Sequence, residues 1–126
     1  MRGLSIRVLL VLGLCLAACG GSDASDQIHG TWYWADYGAY ETFESDGTWT
    51  AQMSLDEEPF DWGTYTLEDG VLTSTNADDS YCPGGSAVWE VAFSEDGDEL
   101  RETTVSESCT NFSVRGQDRV LARHTP

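Results

Sequence analysis

The sequence predicts an all-β protein, a single small antiparallel up-and-down β-barrel of about eight strands. Three observations predict it. From Ile28 onward apolar and polar residues alternate with period two, in a stretch rich in Trp, Tyr, Thr and Val, and no segment repeats its apolar residues at helical spacing. Three joints carry the same signal, Ser45-Asp46-Gly47, Glu68-Asp69-Gly70 and Glu95-Asp96-Gly97, where Gly or Asp accepts the positive φ of a tight hairpin. Between them fall mostly longer joints, so tight turns gather at one end of the sheet and long loops at the other.

The strands are expected at about 29 to 35, 38 to 44, 48 to 54, 61 to 68, 71 to 75, 86 to 94, 99 to 106 and 117 to 123. The clearest is the sixth, where Ala87, Trp89, Val91 and Phe93 share one face. A three-residue turn at Ser45 to Gly47 pairs Phe43 with Trp49, and a two-residue turn at Asp96-Gly97 pairs Phe93 with Leu100. The long joints run over Asp36 to Gly38, Leu55 to Phe60, Asn76 to Gly85 and Glu107 to Gly116. Eight strands with one apolar face and open edges invite aggregation, and closure into a barrel removes the edges.

Residues 1–18 read as a secretion signal outside the fold: Arg2 and Arg7, the apolar run Val8 to Leu14, then small residues, with no acid. Residues 19–27 read as a modified Cys and a Gly, Ser and Asp-rich tether, and residues 28–126 as the barrel domain. The junction Leu16-Ala17-Ala18-Cys19 resembles the bacterial lipobox at all four positions. That resemblance implies cleavage before Cys19, acylation of Cys19, and a lipid anchor in a bacterial cell-envelope membrane, the outer one in a Gram-negative cell. Acyl chains contribute about 0.8 kcal/mol per buried CH2, enough together for stable attachment.

Without the signal, four Arg face 22 acids, a net charge of -18. Such a surface repels nucleic acid, which is excluded as a partner. It makes a very soluble exterior, or one suited to a cationic partner. The acidic run Ser94 to Glu99 lacks the spacing of a calcium loop. Once Cys15 is removed and Cys19 acylated, Cys82 and Cys109 remain as a disulfide pair in an oxidising compartment. Both lie in long joints, hence at the same end. The sequon Asn111-Phe112-Ser113 carries no meaning in a bacterial lipoprotein.

Gly30-Thr31-Trp32 on the first strand resembles the G-x-W signature of lipocalins, with Arg119 or Arg123 on the last strand to pack across the Trp. The wider run, including Phe43 to Trp49 (F-x-x-D-G-T-W) and Gly63 to Leu72 (G-T-Y-x-x-x-D-G-x-L), is similar to small lipocalin-like domains of bacterial lipoproteins over about residues 28–124. The family's second motif and its C-terminal helix have no counterpart, and the domain is shorter than a typical lipocalin. The resemblance implies a calycin-type barrel that binds a small apolar ligand.

The side chains expected inside are Trp32, Trp49, Trp62, Tyr65, Trp89 and Phe93, the candidate ligand-binding set, together with Phe43, Val91, Leu72 and Leu100. They either line an apolar pocket or fill the barrel as plain core, since eight strands enclose about what side chains alone can fill. The tether leaves from the tight-turn end. The long-loop mouth, with Asp56, Glu57, Glu58, Phe60, Asp78, Asp79, Tyr81 and Phe112, then points away from the membrane.

No nucleophilic triad, zinc-protease, P-loop or dinucleotide motif is present, and no enzymatic activity, cofactor or metal is assigned. If the last strand closes on the first, His29 and His124 become neighbours near Asp26, a set that would suit a transition metal unless both are plain surface histidines. Two functions remain. One is a monomeric, membrane-anchored barrel binding a small hydrophobic molecule at its long-loop end; the other is a solid-core interaction module, an assembly partner or protease-inhibitor-like domain.

Overall fold

The computed structural model describes residues 24–108 and 118–126. The signal, the lipobox with Cys19, and the stretch holding Cys109 and the sequon lie outside the described residues. After a short helical turn, Ala24–Gln27, come eight strands: β1 (Gly30–Trp34), β2 (Ala39–Phe43), β3 (Thr48–Gln52), β4 (Asp61–Glu68), β5 (Val71–Asn76), β6 (Ser86–Phe93), β7 (Glu99–Glu107) and β8 (Arg119–Arg123). They form one closed barrel in sequence order, every neighbour antiparallel. No helix among the described residues is long and apolar enough to cross a membrane.

Both expected registers are present, Phe43 opposite Trp49 and Phe93 opposite Leu100. The β4–β5 turn puts Asp69 (φ 51°) and Gly70 (φ 73°) in the left-handed region, as a two-residue turn with matching twist requires. The other two tight turns are built alike. The Asp46 carboxylate accepts from Thr48 N (3.0 Å) and Thr48 Oγ1 (2.7 Å), and that of Asp96 accepts from Asp98 N (3.0 Å) and Ser94 Oγ (2.6 Å). The side-chain bond leads in holding each acid below its ordinary pKa. The last turn is wider than the expected two residues. Ser94 N donates to Glu99 O (3.0 Å) and the Asp96 carboxylate takes Asp98 N, so residues 95–98 stay outside the ladder while the register is unchanged.

The interior has two layers. At the tight-turn end Ile28, Trp32, Phe43, Trp49, Tyr65, Leu67, Leu72, Leu100 and Leu121 are buried in one apolar cluster, with Phe93 partly buried against it. Rings touch throughout, Phe43 to Tyr65 at 5.1 Å and Trp32 to Phe93 at 6.1 Å. At the long-loop end the inward positions are small or polar: Ala39, Glu41, Ala51, Asp61, Ser74, Asn76, Ala87, Glu102 and Arg119, all buried. Trp34 and Trp89 bring large apolar surface there, with Tyr37 and Phe60 packed partly buried against the cluster.

Candidate functional site

The first strand is pinned by Trp32. Trp32 Nε1 donates to Ile28 O at 2.8 Å, and the Arg123 guanidinium lies 4.2 Å above the Trp32 ring. Arg123 also donates to Gly97 O (3.0 Å), His29 O (3.1 Å) and Gln27 O (2.6 Å). Of the two candidate arginines, Arg123 is therefore the one that packs across Trp32. The bonds to residues 27–29 and to the Gly97 turn place the N-terminal segment at the tight-turn end, as strand parity requires.

Arg119 has a different place. Four residues back along β8, beyond Leu121, it points into the same interior, nearer the mouth. It is 7% exposed, and Glu102 beside it 1%. Arg119 Nε donates to Glu102 Oε2 at 2.7 Å, with a second bond from Nη2 to the same oxygen, and Nη1 donates to Glu41 Oε1 at 2.8 Å. The guanidinium lies over the indoles of both Trp34 and Trp89, 4.9 and 4.8 Å from their ring centres. This is a buried trio of two carboxylates and one cation, drawn from β2, β7 and β8 and framed by β1 and β6.

The trio is electrostatically lopsided. Glu41 Oε2 and Glu102 Oε1 are sealed from solvent without a donor among the described residues, and the indole N–H of Trp34 and Trp89 and the hydroxyl of Thr104 likewise find no partner. Burial pushes the Glu102 carboxyl up to about 7; the attraction of Arg119 opposes this and the Glu41 carboxylate adds to it. For Arg119 burial disfavours the cation, yet the two carboxylates outweigh it and hold its pKa above the ordinary arginine value. Across the interior Asp61 accepts from Asn76 Nδ2 at 2.6 Å. A ladder irregularity at Val88/Trp89 sets Glu107 opposite Ala87, an inward position.

Most of the candidate aromatic set is interior: Trp32, Trp49, Tyr65 and Trp89 are buried and Phe93 partly so. Trp62 is a correction. It lies on the opposite face of β4 from Asp61 and Tyr65, and its Nε1 donates to Asp79 Oδ1 (3.1 Å) outside the barrel. Trp62 and Tyr65 stand three residues apart, and a period of two sends such residues to opposite faces. The proposed metal set does not assemble either. His29 Nδ1 stands 4.0 Å from an Asp26 oxygen while the His124 ring packs edge-on against Tyr40 at 5.3 Å, and no group of three or more His, Cys, Asp or Glu suited to a metal occurs among the described residues. Cys82 is disulfide-bonded; Cys109 lies outside the described residues. Sequence reasoning missed Glu41, Asp61 and Glu102, although each shares strand parity with inward apolar neighbours. No protein-family model, no curated protein and no solved structure matches the chain.

Proposed function

We propose that the chain is a lipid-anchored, lipocalin-like envelope protein, acylated at Cys19, that works without covalent chemistry as a solid-core binding module presenting its long-loop end to a partner. One observation carries this reading: the interior beneath the mouth is occupied by the Glu41–Arg119–Glu102 trio packed against Trp34 and Trp89. An apolar ligand entering there would lie against buried charge, and nothing in its contacts would repay the separation of those ions. The candidate aromatics pack on one another instead, as a core does. The loops around the mouth offer Asp56, Glu57, Glu58, Asp78 and Asp79 with the exposed Tyr81 and Leu55, which suits a cationic partner.

A small apolar ligand is the second reading, favoured by a groove of about 450 Å³ at the β1–β8 seam, lined by Tyr33, Val120 and Ala122 and rimmed by Asp36, Asp96, Asp98 and Glu99. Titration of the Trp fluorescence with fatty acids, retinoid-like and haem-like compounds separates the two. The binding module gives a flat response; saturable quenching by any of them transfers the case to the ligand carrier. Intact-mass measurement of the membrane-extracted protein tests the anchor, with an unmodified Cys19 counting against it.

A further inference from the structure

The short β1–β8 seam, which closes the barrel, is stitched only at its tight-turn end. Its ladder pairs are Trp32 with Arg123 and Tyr33 with Ala122. Towards the mouth Trp34 pairs with Ala39 on β2, and Arg119 and Val120 pair with Glu102 and Arg101 on β7. Among the described residues no ladder pair joins the two strands beyond Tyr33 and Ala122, and a groove of about 450 Å³ runs over the seam, lined by Tyr33, Ala35 and Asp36, by Val120, Leu121 and Ala122, and by the 94–99 turn. What spans the half without ladder pairs is a side chain. Arg119, on β8, reaches past β1 to bond Glu41 on β2, and stacks on Trp34 of β1.

That span is made of ions out of balance. Two carboxylates share one guanidinium, and each keeps a sealed oxygen without a donor. Among the described residues the other charged or titratable groups on the inward face are Asp61 on β4, held by Asn76, Tyr65 deeper in the barrel, Arg123 over Trp32 at the far end of β8, and Glu107 further along β7; β1 and β6 present Trp34 and Trp89 to the trio. An unpaired negative charge in such surroundings is costly, and one proton both cancels it and supplies the missing donor. We propose that the mouth-end half of the β1–β8 seam is a proton-controlled gate, closed while the Glu41–Arg119–Glu102 trio holds one proton and opened when that proton leaves.

Loss of the proton to solvent leaves two buried carboxylates, and their repulsion is relieved when Arg119 and the start of β8 swing outward with one of them. The groove then joins the interior above Leu121. The clasp of Trp32 and Arg123 holds the other end fixed, so the seam opens as a hinge. The inference rests on the barrel and not on the role assigned to it.

Residue-resolved amide exchange of the full-length protein in detergent, corrected for intrinsic rates, tests this at pH 5.5 and 8.5. Protection at Leu121 and Ala122 is expected to fall at least tenfold at the higher pH while that at Thr42 and Leu72 holds. Glu102→Gln, which keeps the shape and carries no charge, is expected to retain protection at pH 8.5. Equal protection at both pH values, a matching loss at Leu72, or a Glu102→Gln protein that responds like wild type would overturn the proposal. Should that variant fail to fold, carboxyl NMR titration of the wild type decides: one of Glu41 and Glu102 titrating between pH 6 and 8 supports the gate, and both titrating below pH 5 refutes it.

Discussion

Arg119 Nη1 donates to Glu41 Oε1 at 2.8 Å although their strands, β8 and β2, are not neighbours in the sheet. The bond crosses the interior behind β1 and ties together three walls of the barrel. Removing the cation leaves two carboxylates buried without a counter-ion. Arg119→Gln is therefore expected to cost about 3 to 5 kcal/mol in urea unfolding, whereas replacing all three members by apolar residues of similar volume recovers most of it. A cost below about 1 kcal/mol for Arg119→Gln would show the trio to be energetically idle.

Stability should respond to pH with a definite sign. Burial raises the folded-state pKa of Glu102 from the model-peptide value of 4.5 to about 7. The native protein therefore binds more protons than the unfolded chain within that interval. The contribution is complete below about pH 4.5 and is lost as pH rises through about 7, roughly 3 kcal/mol at about 1.4 kcal/mol per unit. Asp46 and Asp96, held low by their turn hydrogen bonds, act with the opposite sign, and only in more acidic solution. Urea midpoints measured from pH 4.5 to 8 should fall steadily, and Glu102→Gln should flatten the curve. A wild-type midpoint that rises over this range would contradict the burial of a protonated acid.

At the opposite end, Arg123 serves three carbonyls and one indole face. Arg123→Ala is expected to lower stability by about 2 to 4 kcal/mol, from lost charge-assisted bonds and the ring contact. Arg123→Lys should recover less than half of this, because an ammonium cannot reproduce the planar fork. Full rescue by Lys in thermal unfolding would reduce the role of Arg123 to charge alone.

Gly63 on β4 lies against the backbone of β5, opposite Asn76. A Cβ there would stand 1.9 Å from Thr75 O, a backbone atom, so the strands must separate to admit it. Gly63→Ala should destabilise by about 2 to 3 kcal/mol, in the manner of an overpacked core. An unchanged denaturation midpoint would mean that the two strands shift freely.

Trp62 and Trp89 provide a paired control. Trp62 lies outside the barrel and bonds Asp79, while Trp89 is buried beside Arg119. Trp62→Ala should cost under about 1 kcal/mol and Trp89→Ala about 3 to 5. The reverse order in denaturant titrations would invert the facing of β4.

The barrel was readable because its turns announce themselves. Asp-Gly joints set the registers of Phe43 with Trp49 and of Phe93 with Leu100, and strand parity followed from them. Trp62 was misread because its size was weighed above its parity with Tyr65. The charged trio was hidden by abundance: among 22 acids, Glu41 and Glu102 look like any surface residue. Parity alone marks them, since Glu41 alternates with Ala39 and Phe43, Glu102 with Leu100, and Arg119 with Leu121. Composition argues for placing acids in water, and only the cross-barrel geometry reveals which ones are exempt.

The clasp of Trp32 and Arg123 has a mechanical corollary. Tension on the chain ahead of Ile28 reaches the barrel through bonds that grip β1, β8 and the Gly97 turn together. Such a load is shared as shear over several strands instead of peeling one strand from its neighbour. A pulled molecule should yield first at that fastening, well away from the charged half of the seam.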